Sequence, residues 1–200
     1  MEILKNYIDG VWTPSTSKET IDIVNPATQE VLAKVPYGKD IRKDVDLAVE
    51  TASKAYKEWS KVPVIKRVQV LYHLKALMEE NTEVLAEIIT KESGKTYGES
   101  VGEIQRAIEN IEVACGTPML MAGDVIEDIA TGIDEMMIRQ PIGVAACITP
   151  FNFPSMIVFW FLPYAIATGN AFVVKPSEKV PITMMKIFEF IDQLDIPKGL

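Results

Sequence analysis

Residues 141–200 alternate between runs that are apolar at every position and a segment of helical length. The two runs are residues 144–148 and 171–174, and between them residues 155–168 are apolar nearly all round and end at Gly169. A continuous apolar run is typical of a parallel strand that is covered on both faces. Strand, helix and strand at this spacing predict a right-handed βαβ crossover. We therefore predict an α/β fold with a Rossmann-type parallel sheet.

The preceding residues 1–123 change from extended to helical periodicity. Two extended pairs come first, and the earlier one turns at Asp9-Gly10. Four helical stretches follow, with apolar residues at three- and four-residue steps. We predict that Asn81 caps the third of these helices and that the fourth runs from about Glu99 to Met121.

Residues 124–140 have the pattern of an antiparallel hairpin that turns at Thr131-Gly132. Its strands are unusually apolar, and an isolated two-stranded ribbon is rarely stable by itself. We predict an oligomerisation hairpin and a homo-oligomer, either a dimer or a tetramer.

The predicted parallel sheet has only two strands, and a third is expected to begin near Leu200. Two such strands alone would leave much apolar surface exposed. The sequence therefore predicts a fragment of a longer protein.

Composition excludes several classes of partner. The net charge of -8 would repel nucleic acid and anionic lipid surfaces. The longest apolar run, residues 156–167, is too short to cross a bilayer and contains Pro163.

The first residues do not resemble a signal peptide and the two cysteines form no CxxC pair, so we expect a cytoplasmic protein. His73 is the only histidine and has no second ligand candidate, which predicts no metal site.

Polar residues follow each predicted strand, where open α/β sheets bind ligands. Asn152 lies in the loop after the first strand, and its amide could stabilise a developing oxyanion, although it could equally cap a helix or bond a turn. Lys175 and Glu178 follow the second strand and could bind the hydroxyls of an adenosine ribose, or could belong to a solvated loop. Because the chain has no Gly-x-Gly-x-x-Gly after the first strand, a dinucleotide would bind differently from the common Rossmann manner.

Several motifs stand in the order and spacing of the aldehyde dehydrogenase superfamily, which the chain resembles over essentially its whole length. They are Asn25-Pro26-Ala27-Thr28, Thr149-Pro150-Phe151-Asn152-Phe153-Pro154, Gly169-Asn170-Ala171 and Val174-Lys175-Pro176-Ser177-Glu178. The segments at 102–110 and 118–123 are similar to the methylmalonate-semialdehyde dehydrogenase branch. This resemblance implies an aldehyde dehydrogenase-like fold: residues 1–123 are the helical part of an NAD-binding domain, residues 124–140 the hairpin, residues 141–200 the incomplete start of the NAD-binding sheet, and the catalytic domain is absent.

The same resemblance implies the roles of individual residues. Asn152 becomes the oxyanion-hole amide, and Arg106 binds the carboxylate of a small carboxylated aldehyde. Without the resemblance, Arg106 is a surface residue paired with Glu103 and Asn110 on its own helix. The implied contacts of NAD are Ile148, Thr149, Pro150, Phe151, Lys175, Ser177, Glu178 and Lys179.

The implied reaction is NAD-dependent oxidation of methylmalonate or malonate semialdehyde to propionyl-CoA or acetyl-CoA, with coenzyme A as co-substrate and loss of carbon dioxide. In the family it needs a cysteine thiolate that lies beyond residue 200. Cys115 and Cys147 are expected to be inert core residues. Three alternatives stay open: a semialdehyde dehydrogenase that does not use coenzyme A, a non-catalytic NAD-binding fragment that is inactive alone, and a helical scaffold without a ligand.

Overall fold

The computed structural model describes residues 1–38 and 41–200, and its strands form four separate pairs. Three pairs are antiparallel hairpins, and the fourth is a parallel pair. The strands are β1 (Asn6–Ile8), β2 (Val11–Thr13), β3 (Glu19–Val24), β4 (Val31–Tyr37), β5 (Val125–Ala130), β6 (Ile133–Met136), β7 (Val144–Ile148) and β8 (Ala171–Lys175).

Helices fill the space between the second and third hairpins and surround the parallel pair. They are α1 (Arg42–Trp59), α2 (Val64–Glu80), α3 (Thr82–Ser93), α4 (Tyr97–Cys115), α5 (Thr117–Leu120), α6 (Met156–Phe159), α7 (Leu162–Thr168) and α8 (Ile182–Ile191). The main core lies between α2, α3, α4, α7 and α8. Its fully buried side chains include Leu74, Met78, Ile104, Phe159 and Ile187.

The parallel pair β7 and β8 runs in register from Val144 opposite Ala171 to Ile148 opposite Lys175. The helix before β8 ends at Gly169, as predicted, and Gly169 adopts the left-handed conformation with φ of 95°. The side-chain oxygen of Asn170 accepts hydrogen bonds from the backbone N–H groups of Ile142 and Gly143, at 2.7 and 3.0 Å. This contact fixes where β7 begins relative to β8.

The edge of β8 that faces away from β7 is hydrogen-bonded to the last residue of the chain. The backbone N–H of Phe172 donates to the carbonyl oxygen of Leu200 at 2.9 Å. Residue 200 therefore lies beside β8 on the side away from β7, where the third strand was predicted.

The predicted single helix over residues 155–168 is wrong: α6 and α7 are separate, and the chain leaves helical geometry at Phe161, with φ of -126°. The cause is Pro163, which has no N–H to donate and whose ring would clash with the carbonyl of Phe159 in a continuous helix. Pro163 instead occupies the first turn of α7, where it is tolerated.

Two other helix boundaries differ from the prediction. Asn81 does not cap α3 with its side chain, because its amide donates to the carbonyl of Leu77 at the end of α2, at 2.8 Å. Helix α4 ends at Cys115 rather than Met121. It also begins before Glu99, since Thr96 and Glu99 form a reciprocal capping box.

The strand β7 is more exposed than a strand that is covered on both faces, which agrees with the expectation that two such strands alone leave apolar surface exposed. In the described part of the sheet β7 lies at an edge, and an open cleft of about 510 Å³ runs along it between Cys147, Ile148, Trp160 and Tyr164. Ile148 is 79% exposed.

The hairpin formed by β5 and β6 lies at the predicted residues, and every residue of both strands is exposed. Its exposed apolar side chains are Val125, Ile126, Ile129, Ile133 and Met136. Across residues 1–38 and 41–200, no helix combines the length and apolar character that a membrane crossing requires.

Candidate active site

The loops after β7 and β8 leave the sheet at the same edge. The backbone N–H of Thr149 donates to the carbonyl oxygen of Lys175 at 3.1 Å, directly after the last paired residues. Asn152 follows the first strand by four residues, and Glu178 follows the second by three. The two polar groups singled out in the sequence are therefore carried by neighbouring loops.

Asn152 is exposed, and within the described residues its side-chain amide makes no hydrogen bond. The first turn of α6 begins at Met156, so Asn152 is not a helix cap. The alternative that Asn152 serves as a cap or a turn bond has no support in the structure, and the amide is free to bind a ligand.

Both phenylalanines next to Asn152 are covered by a lysine. The Nζ atom of Lys179 lies 4.7 Å from the ring centroid of Phe151, and that of Lys95 lies 3.9 Å from the ring centroid of Phe153. Such cation–π contacts contribute roughly 0.5–2 kcal/mol each. The first links the two loops of the site to each other, and the second links the Asn152 loop to the segment before α4.

The loop after β8 is ordered by its own polar groups. Lys175 Nζ and Glu178 Oε2 form an ion pair at 2.9 Å, and the buried Ser177 hydroxyl accepts the backbone N–H of Lys179 at 3.3 Å. The hydrogen bond from Lys175 is the main reason why the pKa of Glu178 is lowered. Glu178 therefore presents an ionised carboxylate to solvent at neutral pH.

The remaining residues of the predicted NAD site lie around the end of β7. Ile148, Pro150 and Phe151 are exposed, whereas Thr149 is 5% exposed. The hydroxyls of Thr149 and Ser155 are buried and, among the described residues, have no hydrogen-bond partner. Two polar atoms close to the Asn152 loop are thus unsatisfied.

Glu103 is a residue of this region that the sequence did not single out as a site residue. Its side chain is fully buried, and its Oε1 atom accepts the backbone N–H groups of Ser155 and Met156 at 2.8 and 3.2 Å. Its other oxygen binds Lys95, the lysine that covers Phe153. Glu103 therefore caps α6, the helix that follows the Asn152 loop.

Glu92 has the corresponding place on the other loop. Its carboxylate accepts the backbone N–H groups of Ile182 and Thr183, at 2.7 and 3.0 Å, and the hydroxyl of Thr183. It thereby caps α8, which follows the loop of Glu178. Burial is the largest cause that raises the pKa of Glu92 to about 7, and the charge of Glu103 contributes.

Both residues left a signal in the sequence. Glu103 falls among Ser100, Ile104 and Ala107 on the buried stripe of α4, and Glu92 falls three residues after Ile89 on that of α3. A carboxylate within an apolar stripe indicates a buried partner, because an unpaired buried charge is too costly.

Arg106 is 71% exposed on α4, three residues after Glu103. Its guanidinium lies 3.7 Å from Glu109, and Asn110 donates to its backbone carbonyl at 2.9 Å. The alternative pairing of Arg106 with Glu103 is wrong, since Glu103 binds Lys95. An exposed pair of this length contributes little, about 0–1 kcal/mol, so Arg106 can exchange Glu109 for another carboxylate.

Neither cysteine has the surroundings of a nucleophile. Cys115 is buried and Cys147 is half-buried, and burial is the main cause that raises the pKa of each thiol. Metal ligands are not clustered either: the part of the chain that the structure describes has no group of three His, Cys, Asp or Glu residues able to hold an ion.

The chain matches a known protein family over most of its length. Residues 12–200 fit the aldehyde dehydrogenase family, and the chain belongs to that family. It is 48% identical over 200 residues to malonate-semialdehyde dehydrogenase 2 of Bacillus mycoides strain KBAB4. The matched region covers all of this chain and 41% of that protein.

Two solved structures are similar over the whole chain. One is the methylmalonate-semialdehyde dehydrogenase of Oceanimonas doudoroffii, with a TM-score of 0.94 and 36% identity over 40% of its length. The other, from Sinorhizobium meliloti 1021 in complex with NAD, has a provisional assignment to the same activity, a TM-score of 0.93 and 39% identity over 40% of its length. The chain thus spans about two fifths of the relatives that it matches.

Proposed function

We propose that the protein containing this chain oxidises malonate or methylmalonate semialdehyde with NAD. The observation that carries the proposal is the Asn152 amide, which has no hydrogen-bond partner among the described residues and lies on the loop next to that of Lys175 and Glu178. The similarity to malonate-semialdehyde dehydrogenases supports the choice of substrate.

The residues at the sheet edge fit NAD. Glu178 is ionised and can accept hydrogen bonds from a ribose diol, and Lys175 and Lys179 lie beside it as donors. The side chains of Ile148, Pro150 and Phe151 are exposed at the end of β7, and the buried Thr149 hydroxyl beside them has no hydrogen-bond partner among the described residues. The Ser177 hydroxyl accepts the backbone N–H of Lys179 within the loop after β8. When bound, the nicotinamide supplies a hydride acceptor.

Asn152 and Arg106 would act on the aldehyde. An amide N–H aimed at the carbonyl oxygen stabilises the negative charge that develops there when a nucleophile attacks. The guanidinium of Arg106 is suited to a carboxylate because it offers a planar pair of donors. Together they select an aldehyde that bears an acid group.

We further propose that the nucleophile lies outside residues 1–200, because burial raises the pKa of both thiols in this chain. The same observation favours a second candidate for the chain alone, an NAD-binding unit without catalysis. Residues 1–123 and 141–200 would form that unit, and residues 124–140 would join copies into a homo-oligomer.

Transfer of the acyl group to coenzyme A, with loss of carbon dioxide, completes the proposal. The test is an assay of the full-length protein with malonate semialdehyde and NAD, with and without coenzyme A. We expect the rate of NADH production to rise when coenzyme A is added. Equal turnover without coenzyme A would indicate a hydrolytic semialdehyde dehydrogenase. If calorimetry detected no binding of NAD, only the helical scaffold without a ligand would remain.

A further inference from the structure

The Asn152 loop is anchored at its far end by charges that belong to a different part of the chain. Helix α6 has four residues and, among the described residues, no cap from its own side chains. A short helix leaves its first N–H groups without partners, and these need an acceptor when they are buried. Glu103 supplies that acceptor from α4, 52 residues away in the sequence from Ser155.

The anchor is an ion pair and not a lone carboxylate. The Glu103 side chain is 0% exposed and Lys95 is 19% exposed, so the pair is shielded from water. A buried carboxylate without a partner would be strongly destabilising. Lys95 is therefore the charged partner of Glu103, and it also contacts the ring of Phe153, the residue after Asn152.

We propose that Glu103 and Lys95 are positioning residues for Asn152. They hold the residues on its carboxyl-terminal side from two directions: Lys95 at Phe153, and Glu103 at the backbone of Ser155 and Met156. This proposal rests on the function of Asn152 proposed above. It predicts that the ion pair controls the rate of turnover and leaves the binding of NAD unchanged.

The test uses the full-length enzyme with three substitutions. Glu103→Gln removes the charge, Lys95→Met removes its partner, and Lys95→Arg keeps the pair. We expect the first two to lower kcat by about 10- to 100-fold, because a small misplacement of a catalytic group has effects of that size. The KM for NAD should stay within about twofold, and Lys95→Arg should recover most of the kcat.

Two further variants separate positioning from general loss of stability. Glu87→Gln alters an exposed pair with Lys91 on the neighbouring helix α3, at 3.5 Å, and should change neither constant. Glu92→Ala removes the equivalent buried cap from α8, and should raise the KM for NAD more than it lowers kcat. Equal effects of Glu92→Ala and Glu103→Gln on both constants would overturn the proposal, and so would equal kcat values for Lys95→Met and Lys95→Arg.

Amide hydrogen exchange gives a readout that does not need turnover. Exchange in residues 150–160 should be faster in Glu103→Gln than in the wild type, with no change in residues 176–185. If the wild-type protein oxidises no aldehyde, the proposed function fails while this exchange pattern still decides whether Glu103 holds the loop. Unchanged exchange in residues 150–160 would contradict the positioning role even in an active enzyme. Should Glu103→Gln fail to fold, the two Lys95 variants carry the test.

Discussion

Thr149 donates its backbone N–H to the carbonyl of Lys175, and this is the last rung of the parallel pair before both loops begin. Neighbouring strands lie about 4.8 Å apart, so the two loops start from points separated by roughly that distance. The strand spacing of the sheet therefore sets the distance between the starts of the two loops that carry Asn152 and Glu178, and a ligand that contacts both residues must fit that distance.

Replacing Asn152 by alanine tests the proposed oxyanion donor. In the full-length enzyme we expect kcat to fall by about 10²- to 10³-fold, which is typical for the loss of one such donor. Steady-state kinetics with saturating NAD would measure it. Gln69→Ala is the control, because Gln69 is an exposed amide whose contact is to its own helix. A folded Asn152→Ala enzyme with normal kcat would exclude the role.

Glu178 is expected to set the preference for NAD over NADP. Its ionised carboxylate would repel a phosphate on the adenosine ribose. Glu178→Gln should therefore weaken NAD binding and reduce the difference between the Kd values for NAD and NADP. Calorimetric titration of both with the full-length protein would measure the Kd values. The matched control is Glu189→Gln, since Glu189 forms an equivalent pair with Lys186, at 2.6 Å, outside the site. An unchanged ratio of the two Kd values would refute this assignment.

Arg106→Leu should raise the KM for malonate semialdehyde by at least tenfold, because loss of a charge-assisted hydrogen bond costs about 1.5–3 kcal/mol. The KM for an uncharged aldehyde of similar size should not change. Arg42→Leu is the control, since Arg42 also forms an exposed pair at 3.7 Å, with Asp46. Equal effects on charged and uncharged aldehydes would argue against carboxylate recognition.

Glu92 should make the stability of the protein depend on pH. Its pKa is about 7 in the folded state against 4.5 ordinarily, so the folded state holds a proton that the unfolded state has lost between these values. Stability then falls as pH rises from about 4.5 to 7, by on the order of 3 kcal/mol.

The measurement is the Tm of wild type and of Glu92→Gln from pH 5 to pH 8. Glutamine does not ionise, so the wild type should lose Tm relative to the variant across this range. The reverse trend would mean that the hydrogen bonds from Ile182 and Thr183 outweigh burial and keep the folded carboxylate charged.

The exposed hairpin of β5 and β6 is expected to join subunits. Ile133→Asp should therefore reduce the oligomer to a smaller species, as measured by light scattering after size-exclusion chromatography. Val11→Asp is a matched control, because Val11 is 55% exposed on another hairpin and Ile133 is 56% exposed. The same mass for both variants and the wild type would exclude the hairpin from the interface.

The sequence predicted the parts of the fold that follow from local pattern. Continuous apolar runs located β7 and β8, and the carboxyl ends of parallel strands necessarily share an edge, so Asn152 and Glu178 lie on neighbouring loops. Gly169 also indicated the end of α7 from local sequence, because glycine readily adopts the left-handed conformation that ends a helix. The break between α6 and α7 coincides with Pro163, which has no backbone N–H, whereas the continuous apolar character of residues 155–168 favours a single helix.

The buried carboxylates could not be placed from local pattern. Helical spacing predicts that Glu103 lies beside Arg106 on an exposed helix face, where most glutamates on helices are found. Its partners at the start of α6, Ser155 and Met156, are more than 50 residues away, and so are the partners of Glu92 in α8. Only tertiary packing shows which helix ends these carboxylates meet.

Helix α4 carries Glu103 and, three residues later, Arg106. With a rise of about 1.5 Å and a rotation of about 100° per residue, the two positions are locked to each other in both height and direction. Under the proposed role of Arg106 as the residue that binds the substrate carboxylate, redesign toward other acids has freedom in the side chain at position 106. It has none in the length of this stretch, because a single inserted residue would swing the guanidinium by about a quarter of a turn while Asn152 stayed where it is.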